Sequence, residues 1–545
     1  MASAFQRIAD EYFDYIMSEH PSWATWLGIH KQDGKLTSFE PKVIASRLKK
    51  LESFQKKLDK IAVKKLPLGE QVDAKLLAGA LKTWLEMEKR RPDHKNSPSH
   101  YVDEAIFSIY VLIERDFAPK EKRAKSVLRR MRAIPKLMRQ AKENLVNPPR
   151  EFTESAVMEA QGGVMFLQTT VREFIKSLRG PANKKLREDM EAAACKAEKA
   201  LCSYGKFLLE DLLPRSHGKF AIGKQAFNML LKYNHHVDYD ADMLYKMGRA
   251  KLAETKRELE AIAKKINRRK TWIQIVDDLK KEHPANAGLV DYYAKEMKRA
   301  REFVRKNKLV TFPKAERLIV VPTPDFAAPT IPYAAYVSPA PYEKDKKGIF
   351  WVTKVPPRTP RARAEEQLEG HSKWGIVVTS LHEAYPGHHL QLSIASHQTN
   401  ALRHLMETSV FAEGWALYCE EMMWEQGFYH DLRSRLLQLK DQLWRACRVI
   451  VDVGLHTGKM SFNDAVNFMV KEAKLERVNA VTEVRRYCQT PTQPMSYMLG
   501  KLQIIALLDD YKKKHGAKFK LRKFHDELLS HGTIPVKYVR QLMGL

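Results

Sequence analysis

Apolar residues recur every three to four positions along most of this 545-residue chain, which is the spacing of one face of an α-helix. The pattern predicts a long series of amphipathic helices. Thr153 and Asp240 stand where a side chain can cap the first turn of such a helix. The predicted helices cover residues 3–18, 41–62, 68–92, 119–146, 152–178, 183–213, 240–266, 285–306, 361–396, 401–427, 429–458, 461–474, 479–487 and 494–513.

The pattern changes after the eighth predicted helix, where prolines and β-forming residues replace the helical spacing. Residues 317–322 (RLIVVP) and 348–353 (GIFWVT) are typical of short strands. The prolines around them are typical of loops and sheet edges. The chain is therefore predicted to be mainly α-helical with one small β-sheet. Because no long polar linker interrupts it, we expect a single unit over 1–545, with a helical shell over 1–308 and the sheet and remaining helices over 309–545.

The net charge of +29 raises the question of nucleic-acid binding, since Lys and Arg contact phosphates. The basic residues are spread along the predicted helices and are interleaved with acidic ones, as in 49–65, 120–132 and 295–308. No RNA-binding or DNA-binding motif accompanies them. The charge is better explained by a solvated basic surface that favours acidic partners or substrates, so no nucleic-acid partner is expected.

Composition also bears on where the protein is found. No apolar run approaches the roughly 20 residues needed to span a membrane, and the first residues lack the apolar core of a secretory signal. We therefore expect a cytoplasmic protein without a membrane partner. The five cysteines are unclustered, which argues against a disulfide framework and a thiolate zinc site. Cys195 and Cys202 are expected to be buried on one face of their helix.

A candidate metal site begins in the segment 381–391, LHEAYPGHHLQ. Zinc peptidases carry H-E-x-x-H, in which two histidines four positions apart on a helix converge on one ion and the glutamate acts as general base. Here Pro386 stands four positions after His382, and the histidines follow at His388 and His389. On a regular helix His388 would lie about 120° around the axis from His382, and His389 about 10.5 Å further along. A regular helix would therefore make a poor site.

Pro386 and Gly387 indicate that the helix is not regular at this point. Proline lacks an N–H and disfavours helical geometry in the preceding residue, and glycine supplies backbone freedom. A wide turn that absorbs two residues, as π-bulges do, would carry His388 to the position of the second ligand. From these residues alone, ordinary loop histidines remain the alternative.

A carboxylate that could complete the site follows in the segment 411–422, FAEGWALYCEEM. Glu413 lies in a helix-forming run among apolar residues, which argues against an exposed helix acid. Two histidines and a glutamate from a following helix are the ligands of a His₂Glu catalytic zinc site, with one position left for water. Gly414 would let this helix approach the first one closely.

The sequence resembles the bacterial domain-of-unknown-function family 885 along most of its length. The motifs that carry the resemblance are H-E-x-x-P-G-H-H-L-Q, E-G-W-A-L-Y and P-x-Q-P-x-S-Y-x-x-G, together with segments 20–36, 342–352 and 447–466. That family looks like a branch of the gluzincin zinc peptidases, with carboxypeptidase Taq and the peptidyl-dipeptidases as neighbours. The resemblance implies a large helical gluzincin-like fold with the small sheet beside the active-site helix.

Residue by residue, the resemblance implies one zinc ion per chain, bound by His382, His388 and Glu413. It also implies that Glu383 is the general base. His389 would then be a substrate-binding group or a neighbour of the ligands. Metal binding by His389 in place of His388 is the alternative.

Later residues could complete the site. In the related peptidases a tyrosine donates a hydrogen bond to the oxyanion of the tetrahedral intermediate, and Tyr497 is the candidate here. Arg486 is suited to bind a peptide C-terminal carboxylate through two hydrogen bonds, and a structural pair with Glu483 is the alternative. His456 is a further candidate to line the substrate cleft or to cap a helix. The strand 348–353 could hold a substrate backbone by edge pairing.

These residues predict a zinc-dependent hydrolase that cleaves peptide bonds, as a carboxypeptidase or an oligopeptidase, with Glu383 as general base. A zinc-dependent hydrolase of a non-peptide amide or ester would need the same groups. A basic nucleic-acid-binding or scaffold protein with a vestigial metal site is the alternative from another class. The expected partner is a peptide or small amide substrate, and a homodimer is compatible with the sequence.

Overall fold

A computed structural model describes residues 3–324, 328, 331 and 333–545 of the chain. Its fold is mainly α-helical with one small β-sheet, which confirms the predicted fold class. The described chain packs as two compact units. Unit 1 comprises Met1–Phe220, Pro324–Thr330 and Ala340–Asp345, and unit 2 comprises Ala221–Thr323, Ile331–Pro339 and Lys346–Leu545.

The change in residue pattern near position 309 does not coincide with the division between the units. The helices over 221–308 pack in unit 2 together with the sheet, so the predicted helical shell over 1–308 is shared between the units. The prediction that 1–545 forms one peptidase unit stays a prediction.

Unit 1 is built from helices whose apolar faces are buried against one another. Arg130 is fully buried in this unit, and its guanidinium donates to the backbone carbonyls of Lys35 and Ser108 and so finds polar partners. The helices are α1 Ala4–Glu19, α2 Pro21–Leu27, α3 Pro41–Leu58, α4 Leu68–Arg90, α5 Asp93–Asn96, α6 Pro98–Glu114, α7 Lys120–Asn144, α8 Arg150–Gln168, α9 Thr170–Lys176 and α10 Lys184–Phe207.

Unit 2 holds the sheet and the segments with the candidate chemistry. Its central helices pack in pairs, α12 on α19 and α18 on α22. The helices are α11 Gly223–Tyr233, α12 Ala241–Ile266, α13 Trp272–Lys280, α14 Leu289–Lys306, α15 Arg361–Glu369, α16 Lys373–Glu383, α17 His388–Ala395, α18 Ser409–Glu425, α19 Leu432–His456, α20 Phe462–Ala473, α21 Arg477–Gln489, α22 Ser496–His515, α23 Leu521–Ser530 and α24 Val536–Leu542.

Within the described residues the sheet has three strands, β1 Arg317–Pro322, β2 Ala334–Val337 and β3 Lys347–Val352, in the order β1-β3-β2. β3 pairs with β1 in parallel and with β2 antiparallel. The predicted strands correspond to β1 and β3, whereas β2 was not predicted. Because β3 has a neighbour on each side, its backbone has no open edge, and the prediction that it holds a substrate by edge pairing is wrong.

Three local predictions have different outcomes. The Asp240 cap is confirmed, since its carboxylate accepts the N–H of Met243 at 2.8 Å. Thr153 does not start a helix, because α8 begins at Arg150 and Thr153 is buried within it. Cys195 and Cys202 are exposed rather than buried, because the alanines of α10 form its packing face.

The predicted helix over 361–396 is three helices in the structure, α15, α16 and α17. The break between α16 and α17 falls inside the HEAYPGHH motif. It therefore decides how the histidines of the candidate metal site are placed.

Candidate metal centre

The chain between α16 and α17 makes a wide turn, which agrees with the predicted widening of the site helix. α16 ends at Glu383 and α17 begins at His388, and the Tyr385–Pro386 peptide bond in the turn is cis. The N–H of Gly387 donates to the carbonyl of Leu381 at 3.0 Å. This bond spans six residues where a regular α-helix spans four, so the turn interrupts the helix and absorbs two extra residues, as predicted.

Gly387 is required at the centre of this turn. A Cβ at this position would lie 1.7 Å from the carbonyl oxygen of His382 and 2.5 Å from that of Leu381, so no side chain fits. The indole N–H of Trp415 donates to the carbonyl of Pro386 at 2.9 Å and ties the turn to α18. As a result the ring of His388 faces that of His382, with centroids 5.0 Å apart and planes at 80°.

The structure brings together the three residues predicted as zinc ligands. Donor atoms of His382, His388 and Glu413 all lie within 4.8 Å of one another. The Nε2 atom of His388 is 3.2 Å from Oε2 of Glu413, and these side chains keep 12% and 18% of their exposure. The cluster is therefore enclosed by protein yet reachable from solvent.

The charges of this cluster depend on one another. Burial would lower the pKa of His388, but the carboxylates of Glu413 and Glu383 outweigh it and raise that pKa. Burial would raise the pKa of Glu413, but His388, His382 and the hydroxyl of Tyr497 lower it to about 2. Glu413 is ionised, and the position between it and His388 favours a positive charge, either a proton or a metal ion.

Glu420 orients His382, and it was not predicted from the sequence. Its Oε1 accepts from Nδ1 of His382 at 2.7 Å, and its Oε2 accepts from the amide of Gln438 at 3.2 Å. With Nδ1 engaged, Nε2 of His382 is left for the cluster, which is the arrangement of a carboxylate–histidine–metal triad. A sequence signal existed, because Glu420 lies two helical turns after Glu413 on the same face of α18.

We expect Glu420→Gln to weaken zinc binding by about 10- to 100-fold, because the amide removes the negative charge that supports His382. Zinc affinity is measured by competition with a chromophoric chelator. Glu425→Gln, at the C-terminal end of the same helix, is the control and should leave the affinity unchanged. An unchanged affinity in Glu420→Gln would contradict the assigned role.

Gly414 brings α18 close to α22 rather than to α16. A Cβ on Gly414 would lie 2.4 Å from Cα of Gly500, so the two backbones are in direct contact at this point. The prediction that Gly414 lets α18 approach α16 closely is wrong, because the helix that α18 approaches at this glycine is α22. The contact has a local consequence, since it places the first turn of α22, with Tyr497, beside Glu413.

Tyr497 lies next to the cluster as a hydrogen-bond donor. Its hydroxyl interacts with Glu413 and contributes to the low pKa of that carboxyl group. Burial and the charge of Glu413 raise the pKa of Tyr497, so its hydroxyl keeps its proton at neutral pH. The guanidinium of Arg448 lies 4.7 Å from the centre of its ring.

Arg486 is connected to the cluster through one side chain. Its Nη2 donates to Glu483 at 2.9 Å, so the structural pair considered as the alternative is present. Its Nη1 donates to Oε1 of Gln493 at 3.2 Å, and Nε2 of Gln493 is 3.5 Å from Oε1 of Glu413. Gln493 was not identified from the sequence, although it is the glutamine of the P-x-Q-P motif.

Two predicted substrate-binding residues do not belong to the cluster. His389 is fully buried, with Nε2 2.8 Å from Glu316 and Nδ1 2.9 Å from the hydroxyl of Tyr336. His456 is also fully buried, and its Nε2 donates to the carbonyl of Tyr487 at 3.0 Å. The arrangement favours His388 over His389 as the second ligand.

The fold and the site define a mainly α-helical protein with a His–His–Glu cluster that is suited to a metal ion. The model of a family described as bacterial proteins of unknown function, DUF885, matches residues 21–543. The chain belongs to this family. No curated protein matches it.

Two solved structures resemble the chain over its whole length. One is described as "a putative lipoprotein of unknown function" from Shewanella oneidensis, with 26% identity, a TM-score of 0.80 and full coverage of both chains. The other is described as "the putative lipoprotein" from Colwellia psychrerythraea, with 22% identity, a TM-score of 0.85, and coverage of 100% of this chain and 99% of that one. At 22% identity, the second structure supports a shared fold and no statement about function.

The first of these descriptions contradicts the expectation of a cytoplasmic protein. The Shewanella oneidensis relative is described as a lipoprotein, so the cytoplasmic assignment made from the sequence is wrong by this comparison. Missing targeting signals are weak evidence for a compartment. Within the described residues, no helix combines the length and apolar character needed to cross a membrane.

Proposed function

We propose that the chain is a zinc-dependent peptidase that uses Glu383 as its general base. The observation that carries the proposal is the cluster of His382, His388 and Glu413, with Glu383 adjacent to the first ligand in sequence and acting electrostatically on the second. Two imidazoles and one carboxylate are the protein ligands of catalytic zinc sites in peptidases.

One pair of these residues, His388 and Glu413, fits zinc by spacing as well as by type. Tetrahedral ligands at about 2.0–2.1 Å from an ion lie roughly 3.3 Å from one another. The separation of 3.2 Å between Nε2 of His388 and Oε2 of Glu413 agrees with this value. Nε2 of His382 is directed to the cluster by Glu420. Three protein ligands leave the fourth position for water or substrate.

Each side chain has a definite task in the proposed reaction. Zinc, when bound, supplies a Lewis acid that polarises the scissile carbonyl and makes water more acidic. Glu383 accepts a proton from the attacking water and then donates it to the departing amine. Tyr497 donates a hydrogen bond to the carbonyl oxygen as negative charge develops there. Glu420 keeps His382 oriented throughout.

The test combines metal analysis with a peptide library. The purified protein is expected to contain about one zinc per chain and to cleave peptides, with product ends read by mass spectrometry. His388→Ala should lose the zinc and the activity, whereas His430→Ala, at an exposed loop position, should retain both.

Three results would contradict the proposal. They are purified protein that binds no zinc, hydrolysis that survives removal of the metal by a chelator, and zinc-loaded protein that cleaves no peptide. In the last case, turnover of simple esters or non-peptide amides would favour the other hydrolase. Salt-sensitive binding of RNA or DNA without turnover would favour a nucleic-acid-binding protein.

A further inference from the structure

Two arginines share a single carboxylate near the candidate metal site formed by His382, His388 and Glu413. Arg448 and Arg486 each donate through Nη2 to the same oxygen of Glu483, at 3.2 Å and 2.9 Å. The hydroxyl of Tyr487 donates to that oxygen too, at 2.5 Å. Burial would raise the pKa of Glu483, but the two arginines lower it to about 2, so it contributes one negative charge. The group therefore carries one positive charge in excess.

The two arginines differ in what they can still bind. Arg448 keeps 6% of its side-chain exposure, donates through Nε to Tyr487 at 2.8 Å, and lies over the ring of Trp444 at 4.4 Å. It is held in place on several sides. Arg486 keeps 40% of its exposure. A guanidinium has five N–H donors, and the contacts of Arg486 with Glu483 and Gln493 leave others for a ligand.

The excess charge lies close to the position where a peptide bond would be cut. Arg486 contacts Gln493, which in turn contacts Glu413 of the metal cluster. Tyr497, the proposed oxyanion donor, stacks on Arg448. Arg486 is the more exposed of the two arginines, so its remaining N–H groups can reach an anionic ligand at this place.

We infer that Arg486, supported by Arg448, Glu483 and Gln493, forms a subsite for a substrate carboxylate beside the scissile bond. Guanidinium groups bind carboxylates through paired, charge-assisted hydrogen bonds, which makes this the fitting ligand class. The carboxylate comes either from the C-terminus of a peptide or from an acidic side chain next to the cleaved bond. A terminal carboxylate would make the protein an exopeptidase. The inference rests on the proposed function, since it names that site's substrate class.

The experiment compares three peptides that differ in their carboxylates. These are N-acetyl-Ala-Ala-Phe as the free acid, the same peptide as its amide, and N-acetyl-Ala-Ala-Glu amide. Binding to the metal-free protein is measured by calorimetry, and kcat/KM is measured with the zinc-loaded protein. The variants are Arg486→Gln and Arg433→Gln. Arg433 matches Arg486 in exposure, at 40%, and likewise pairs with one acid, Asp431.

We expect at least one carboxylate peptide to bind about 10- to 100-fold more tightly than the neutral amide. Arg486→Gln should remove that preference in both binding and kcat/KM, while Arg433→Gln should keep it. Preference for the free acid assigns the subsite to the C-terminus, and preference for the Glu amide assigns it to an acidic side chain. Thermal unfolding of both variants checks that the fold is intact.

Equal binding of all three peptides, or an unchanged preference in Arg486→Gln, would overturn the inference. These results are distinct from failure of the proposed function. Hydrolysis without carboxylate preference refutes only the subsite. Arg486-dependent binding without any hydrolysis supports the subsite and refutes the peptidase.

Discussion

Replacing Glu383 with Gln is expected to abolish hydrolysis while leaving the zinc content of the protein unchanged. Glutamine keeps the size of the side chain but cannot accept the water proton, and the loss of a general base typically costs about 100- to 10,000-fold in kcat. Glu383 does not belong to the cluster of donor atoms, so the three ligands stay in place. Zinc is measured by elemental analysis, and kcat by peptide turnover.

Glu365→Gln is the control for this experiment, because Glu365 is an exposed acid paired with His283 on the neighbouring surface. It should leave both zinc content and turnover unchanged. Turnover by Glu383→Gln at the wild-type rate would remove Glu383 from the mechanism. Loss of zinc together with activity would instead indicate that Glu383 contributes to metal binding.

Gly500→Ala is expected to destabilise unit 2 and to abolish turnover. A Cβ at this position would lie 1.8 Å from the carbonyl oxygen of Val410 and 2.7 Å from Cα of Gly414. Both neighbours are backbone atoms, so no side-chain rotation relieves the overlap, and α22 must move away from α18. We expect the free energy of unfolding to fall by about 3 kcal/mol. The shift would also displace Tyr497 from Glu413.

The matched control is Gly375→Ala in α16. Its Cβ would lie 3.6 Å from a methyl carbon of Leu437, which is an ordinary contact, and alanine favours a helix by up to about 1 kcal/mol over glycine. Urea unfolding followed by circular dichroism measures both variants. If Gly500→Ala unfolds at the same urea concentration as the wild type, the close contact between α18 and α22 is refuted.

Most of the longer helices could be predicted from the sequence, whereas the shorter helices α11, α13, α23 and α24 were not predicted. α6 Pro98–Glu114 was not predicted, and it is buried on most of its circumference. A helix that is apolar on all sides lacks the periodic pattern on which the prediction relies. β2 Ala334–Val337 was not predicted because it is short and stands among prolines.

The candidate site was predictable to the level of residue types and their order. His382, Glu383 and Glu413 stand in recognisable motifs, and the structure brings His382 and Glu413 into one cluster. Glu420 lies two helical turns after Glu413 on the same face of α18, so helical periodicity could have identified it. Gln493 offered no such signal, since its contact with Glu413 joins segments that are far apart in sequence.

By itself, the sequence determined the helical character of the chain, the two longer strands, and the break that Pro386 and Gly387 impose on the site helix. These features depend on backbone sterics and on side-chain periodicity over a few residues. Only the tertiary structure decided that His388 joins the cluster while His389 pairs with Glu316. That outcome depends on packing between distant segments, because local spacing does not determine which distant side chain each histidine meets.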